Sequence, residues 1–148
     1  MEIMVWVLIT IISVLLSVLS WQDIRHRILS NKLIFAVFLT ALPLGWLLNH
    51  TLYWQPALIT LVIGFFLFLF NVIGAGDIKL LTVLMLLVPP NNAFFVLLLI
   101  SLFGLLLIIG GLLFFRSAIK KNGLPYGVAI SLGFLSYLFL FINIQLLP

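Results

Sequence analysis

Residues 93–115 read AFFVLLLISLFGLLLIIGGLLFF, twenty-three positions without a charge or a proline. As a helix rising about 1.5 Å per residue, the run is about 35 Å long. That is enough to cross the roughly 30 Å of hydrocarbon in a bilayer. The run is apolar all the way round, so no face is left for water and it reads as a transmembrane helix.

The rest of the chain has the same character. Of its 148 residues 66% are hydrophobic and 7% charged, with a mean hydropathy of +1.44. A soluble domain of this size needs far more polar surface, so lipid must solvate much of the chain. With no cysteine, disulfides, thiolate metal sites and a cysteine nucleophile are excluded. The net charge of +4 is small and scattered among apolar runs, which speaks against a nucleic-acid groove. Residues 3–20 lack the basic start of a secretory signal, carrying Glu2 instead, and run into Trp21-Gln22-Asp23 rather than a small-residue cleavage site. They are read as a retained transmembrane helix.

Six apolar segments follow from this reading, at about 3–21, 32–48, 57–73, 77–88, 93–115 and 126–146. The fold class expected is an all-α integral membrane bundle of six transmembrane helices with short loops, forming a single domain over 1–148. Segment four is short: twelve residues rise only about 18 Å. Either the bilayer thins around it or one end stops inside the protein, where other groups must satisfy its backbone. The Gly74-Ala75-Gly76 turn is the expected place for such a wet, partly submerged backbone. All seven basic residues lie on one side of this arrangement: Arg25, Arg27, Lys32, Lys79, Arg116, Lys120 and Lys121. The opposite loops, 49–56 and 89–92, have none. The positive-inside rule then predicts an N-out, C-out protein of the cytoplasmic (inner) membrane, with the basic loops inside. His50, Tyr53 and Trp54 read as interfacial anchors on the outer side. The small-residue pairs Ala129/Gly133 and Gly127/Ser131 read as a helix-packing signal.

Ionisable groups at the edge of a membrane domain are costly and tend to be functional. The chain has two aspartates, Asp23 at the end of segment one and Asp77 at the start of segment four, both expected at the cytoplasmic face. Two carboxylates brought together cannot both ionise cheaply, so they share a proton. That is what an aspartyl protease requires: one carboxylate activates water while its protonated partner polarises the scissile carbonyl. Taken singly, each Asp could equally be a helix-end residue beside headgroups. By helix position, Asp77 at a helix start is expected to ionise first and Asp23 at a helix end to hold the shared proton.

The neighbours of both aspartates resemble one family. Gly74-Ala75-Gly76-Asp77-Ile78-Lys79 is similar to the GxGD-x-K motif of type IV prepilin (leader) peptidases, the GxGD membrane aspartyl proteases. Asp23-Ile24-Arg25-His26-Arg27-Ile28-Leu29-Ser30-Asn31 resembles the family's first-aspartate segment, which ends in Ile-Pro-Asn. Pro125-Tyr126-Gly127 is similar to a stretch near the family's last helix. The resemblance implies that Asp23 and Asp77 are catalytic, supported by Gly74, Gly76, Lys79 and Asn31. It implies as substrate a type IV pilin-like precursor, cut after its short basic leader at the cytoplasmic membrane face. Leu29-Ser30-Asn31 lacks the family's proline, so a more mobile loop is expected. The cysteine-bearing insertion associated with N-methylation in larger members is missing, so peptidase activity alone is expected.

Other residues carry weaker readings. Lys79 is about 200° round a helix from Asp77 and reads as snorkelling to headgroups. Arg25 and Arg27 read as loop anchors on anionic lipid, and His26 as a headgroup contact. Asn31 either holds the loop near the aspartates or caps segment two. No metal or other cofactor is expected. The expected partners are the precursor and membrane lipid, without nucleic acid, and a homodimer is left open. The rival readings are a transporter subunit or assembly scaffold, and a preflagellin or other GxGD peptidase.

Overall fold

The computed structural model describes residues 1–146, with side chains to 142. Among the described residues the chain is entirely helical, in seven helices: α1 (Glu2–His26), α2 (Asn31–Asn49), α3 (Trp54–Leu69), α4 (Ala75–Met85), α5 (Pro90–Phe114), α6 (Arg116–Asn122) and α7 (Tyr126–Leu146). Three of them, α1, α2 and α5, are long and apolar enough to cross a membrane. The bent pair α6–α7, with a 105° angle between its parts, makes a fourth if counted as one span. α3 is apolar but has 16 residues.

Two boundaries differ from the sequence expectation. α1 does not stop near Trp21 but runs to His26, and ends where Arg27 turns left-handed (φ 55°) and donates its N–H to the Asp23 carbonyl at 3.0 Å. Polar residues end an apolar run without ending a helix, so Asp23 lies within the last turns of α1 rather than at its end. The basic stretch after segment five is itself helical, as α6, ended by Gly123 at φ 80°, a conformation open to glycine at little cost.

α4 forms the centre of the bundle, packed against α2, α3 and α7. Leu80, Leu84, Met85, Leu87 and Val88 are almost wholly buried, together with Leu16 and Leu19 of α1, Val37 and Leu44 of α2, and Phe134 of α7. Its shortness has a local cause. After Met85 the chain tightens into i→i−3 turns, with Leu86, Leu87 and Val88 donating to Val83, Leu84 and Met85 at 3.1–3.3 Å, a common way for a helix to finish. Two of the carbonyls freed there are met by neighbours. Tyr53 donates its N–H to Leu86 at 3.0 Å, and the Asn49 amide donates to Leu87 at 3.4 Å. The C-terminal end of α4 is thus enclosed by protein, while Gly74 and Ala75 at its start are exposed. Tyr53, read as an interfacial anchor, also closes this backbone.

α5 and α7 pack most extensively. A Cβ at Gly133 would stand 2.7 Å from the Ile100 Cα, so glycine is what lets these two backbones approach, as the small-residue spacing suggests. The outer faces of α1, α3 and α5 carry exposed Trp6, Val14, Val62, Phe66, Leu102 and Leu106, surface suited to lipid.

Candidate active site

Three helix ends meet at one end of the bundle. α1 brings Asp23 in its last turns, α4 brings Asp77 as its third residue, and α7 brings Gly127 as its second. Asp23 is 6% exposed, and its Oδ2 accepts the Gly127 N–H at 2.8 Å. The first N–H groups of a helix have no partner within it, so the start of α7 offers donors suited to a carboxylate. Only glycine allows the approach: a Cβ at 127 would stand 2.8 Å from Asp23 Oδ2 and 3.0 Å from Leu29 Cδ2.

Asp77 is half-buried and lies over the turn that precedes it. A Cβ on Gly74 would be 3.1 Å from Asp77 Oδ2. Gly76 is tight for a different reason, since its Cβ would meet the Leu29 Cβ at 3.0 Å. The two outer positions of the Gly-Ala-Gly run therefore each face something close, one the carboxylate and one the loop after α1.

Asp23 and Asp77 line one cavity of about 360 Å³, with Arg27, Ile28, Leu29, Asn31, Gly74, Ala75, Gly76 and Lys79. All six residues singled out from the sequence are brought together there. Lys79 Nζ donates to Asn31 Oδ1 at 3.2 Å, joining α4 to the start of α2. The side chain, though exposed, thus joins two residues that line the cavity. Asn31 is the first residue of α2, and Ser30 holds the cap position with no side-chain cap bond. Of its two readings, Asn31 takes that of a loop tie. Arg25 stacks over Trp21 at 5.2 Å from the ring centre, a cation–π contact, while one buried Arg27 nitrogen, Nη1, has no hydrogen-bond partner among the described residues.

Two contributors were given no site role from sequence. Leu29 is wedged between Gly76 and Gly127, so the loop without its proline is held by a packed side chain as well as by the Lys79–Asn31 bond. Gly127 was read as packing only, although the Pro-Tyr-Gly resemblance marked its stretch. The helix-end argument that assigned the shared proton to Asp23 also loses its basis. Asp23 lies in the last turns of its own helix but accepts from the start of α7, so each carboxylate stands beside a helix start. Among the described residues no three of His, Cys, Asp and Glu gather as a metal-holding group.

All-helical among its described residues, with helices of membrane length and two aspartates lining one cavity beside a Gly-x-Gly-Asp turn, the chain has the form of a membrane peptidase. Residues 10–109 match the model of the type IV leader peptidase family; the chain belongs to that family. No curated protein and no solved structure matches it. The matched region holds both aspartates and the Gly74-Ala75-Gly76 turn, while Gly127 lies beyond it.

Proposed function

We propose that the chain is an aspartyl endopeptidase of the inner membrane that removes the short basic leader of type IV pilin-like precursors at the cytoplasmic face. One observation carries this reading: Asp23 and Asp77, 54 positions apart, line the same cavity. Their proximity makes a shared proton the cheaper state. In the mechanism, the ionised carboxylate takes a proton from water as the water oxygen attacks the scissile carbonyl. The protonated partner donates its proton to the carbonyl oxygen. Collapse of the resulting diol breaks the C–N bond, with a proton passing to the leaving amine, and no covalent enzyme intermediate forms.

The six-crossing, N-out and C-out arrangement belongs to the same proposal. Its support is electrostatic. Arg25 and Arg27 share a second cavity with Ala118, Ile119 and Asn122, so α6, with Arg116, Lys120 and Lys121, lies at the same end of the bundle as the aspartates. A basic end of this kind is retained in the cytoplasm. It also counts against a transporter, whose ionisable groups lie near the midplane.

The test is cleavage of a leader-bearing pilin-like precursor in proteoliposomes. Asp23→Asn and Asp77→Asn should each abolish it while leaving the protein folded. Full activity in either variant would end the proposal.

A further inference from the structure

Asp77 borders two cavities of opposite character. One is the polar cavity it shares with Asp23. The other, of about 230 Å³, opens between α3, α4, α5 and α7, and Asp77 is the one charged residue lining it. Its walls include Ile59, Ile63, Leu97 and Ile130, with the Tyr126 ring at the Asp77 end. Ile59 and Ile63 are 51% and 55% exposed and Leu97 is 40% exposed, so the mouth of this cavity faces the bilayer side of the bundle. α3 and α5 meet over only a small area, leaving the slot between them unfilled by protein.

A peptide whose scissile bond lies at Asp77 has these two spaces for its flanks. The polar cavity holds both carboxylates, Arg27, Lys79 and Asn31, and suits a hydrated polar chain. The other is apolar away from its Asp77 end and suits an apolar residue, since a charged one held there would have no partner.

We infer that the slot between α3 and α5 is the pocket for the apolar residue that follows the cut bond. The precursor meets Asp77 from the bilayer side, with its leader over the polar cavity. This inference rests on the peptidase reading of Asp23 and Asp77 and names the orientation of the substrate in that site.

The chain has no cysteine, so single-cysteine cross-linking can test it. In an Asp23→Asn background, which holds substrate uncut, the probe is a leader-bearing precursor with a cysteine at the first position after the bond. It should form a disulfide with Ile63→Cys and Ser101→Cys and not with Val7→Cys on α1. A cysteine just before the bond should instead pair with Ala75→Cys. Because cross-linking reads docking and not turnover, it answers independently of whether the aspartates are catalytic. In the otherwise unaltered enzyme, Ile63→Trp and Ser101→Phe, which crowd the mouth, should raise KM about tenfold with little change in kcat. Pairing of the post-bond cysteine with Ala75→Cys or Val7→Cys, or with neither of the two slot positions, would overturn the inference. So would an unchanged KM in both crowded variants, which would leave the slot to a lipid chain.

Discussion

Gly127→Ala separates the contact that positions Asp23 from the stability of the helix that supplies it. The new Cβ would stand 2.8 Å from Asp23 Oδ2, 3.3 Å from its Cγ and 3.0 Å from Leu29 Cδ2. All three must move back by several tenths of an ångström, which stretches the 2.8 Å Gly127 N–H bond to Asp23. A hydrogen bond to a charged group contributes about 1.5–3 kcal/mol. Against that, alanine within a helix is favoured over glycine by about 0.5–1 kcal/mol. The net loss of stability should therefore be about 0.5–2.5 kcal/mol, read by thermal unfolding in detergent. Activity should fall further, because displacing a reacting group by even 1 Å can cost about 100-fold. We expect kcat for precursor cleavage to drop 10- to 100-fold with KM within about twofold. In an Asp23→Asn background the alanine should change stability by a different amount, since residues in contact are not additive. A Gly127→Ala protein with unaltered kcat and unaltered stability would refute the role given to this contact.

Further outcomes follow from the same geometry. Lys79→Met and Asn31→Ala each remove the 3.2 Å tie between two residues that line the cavity. The pair is exposed and should contribute only about 0.2–1 kcal/mol, so each variant should unfold within a few degrees of the parent and lose no more than about fivefold in kcat/KM. Gly76→Ala forces its Cβ against Leu29, at 3.0 Å from that Cβ; activity should fall, and Leu29→Ala in the same chain should restore part of it, measured by precursor cleavage. Gly133→Leu sets a side chain against the Ile100 backbone, 2.7 Å from its Cα at the first atom. It should lower the unfolding temperature more than any of these, without altering the identity of the cleavage product.

Much of this arrangement was legible from residue types alone. A chain with twenty-three uncharged residues in one run has no soluble alternative, and two aspartates flanked by turn and basic residues stand out where charge is scarce. The ends of elements were less legible. Trp21 to His26 continue α1 because a helix leaving the hydrocarbon keeps its own hydrogen bonds, which residue polarity does not report. The enclosure of the C-terminal end of α4 was hidden for a related reason. Its freed carbonyls are met by Tyr53 and Asn49, and these lie more than thirty residues upstream. Gly127 was hidden because glycine at four-residue spacing from Ser131 reads the same whether a helix or a carboxylate lies against it.

The three helices that supply the site are far apart in sequence, yet each contributes only an end. This has a physical reason. A carboxylate in the middle of a membrane helix would face lipid or packed apolar side chains with no donor in reach, since every N–H there is already bonded. At a helix start the first donors are free, and α7 gives one of these to Asp23 through Gly127. Asp77 sits in the first turn of α4, where the same partial positive charge supports it. Side chains on the approaching residues would hold such ends apart. Glycine at 76 and 127 removes that separation, each where a Cβ would fall within 3.0 Å of Leu29 or Asp23, while Gly74 leaves room for Asp77 over its own turn. The Gly-x-Gly-Asp turn and the Pro-Tyr-Gly turn therefore perform one job from two places in the chain. They let α4 close on the loop after α1 and α7 on the end of α1, and this closure makes one cavity of about 360 Å³ out of helices that would otherwise expose their ends separately.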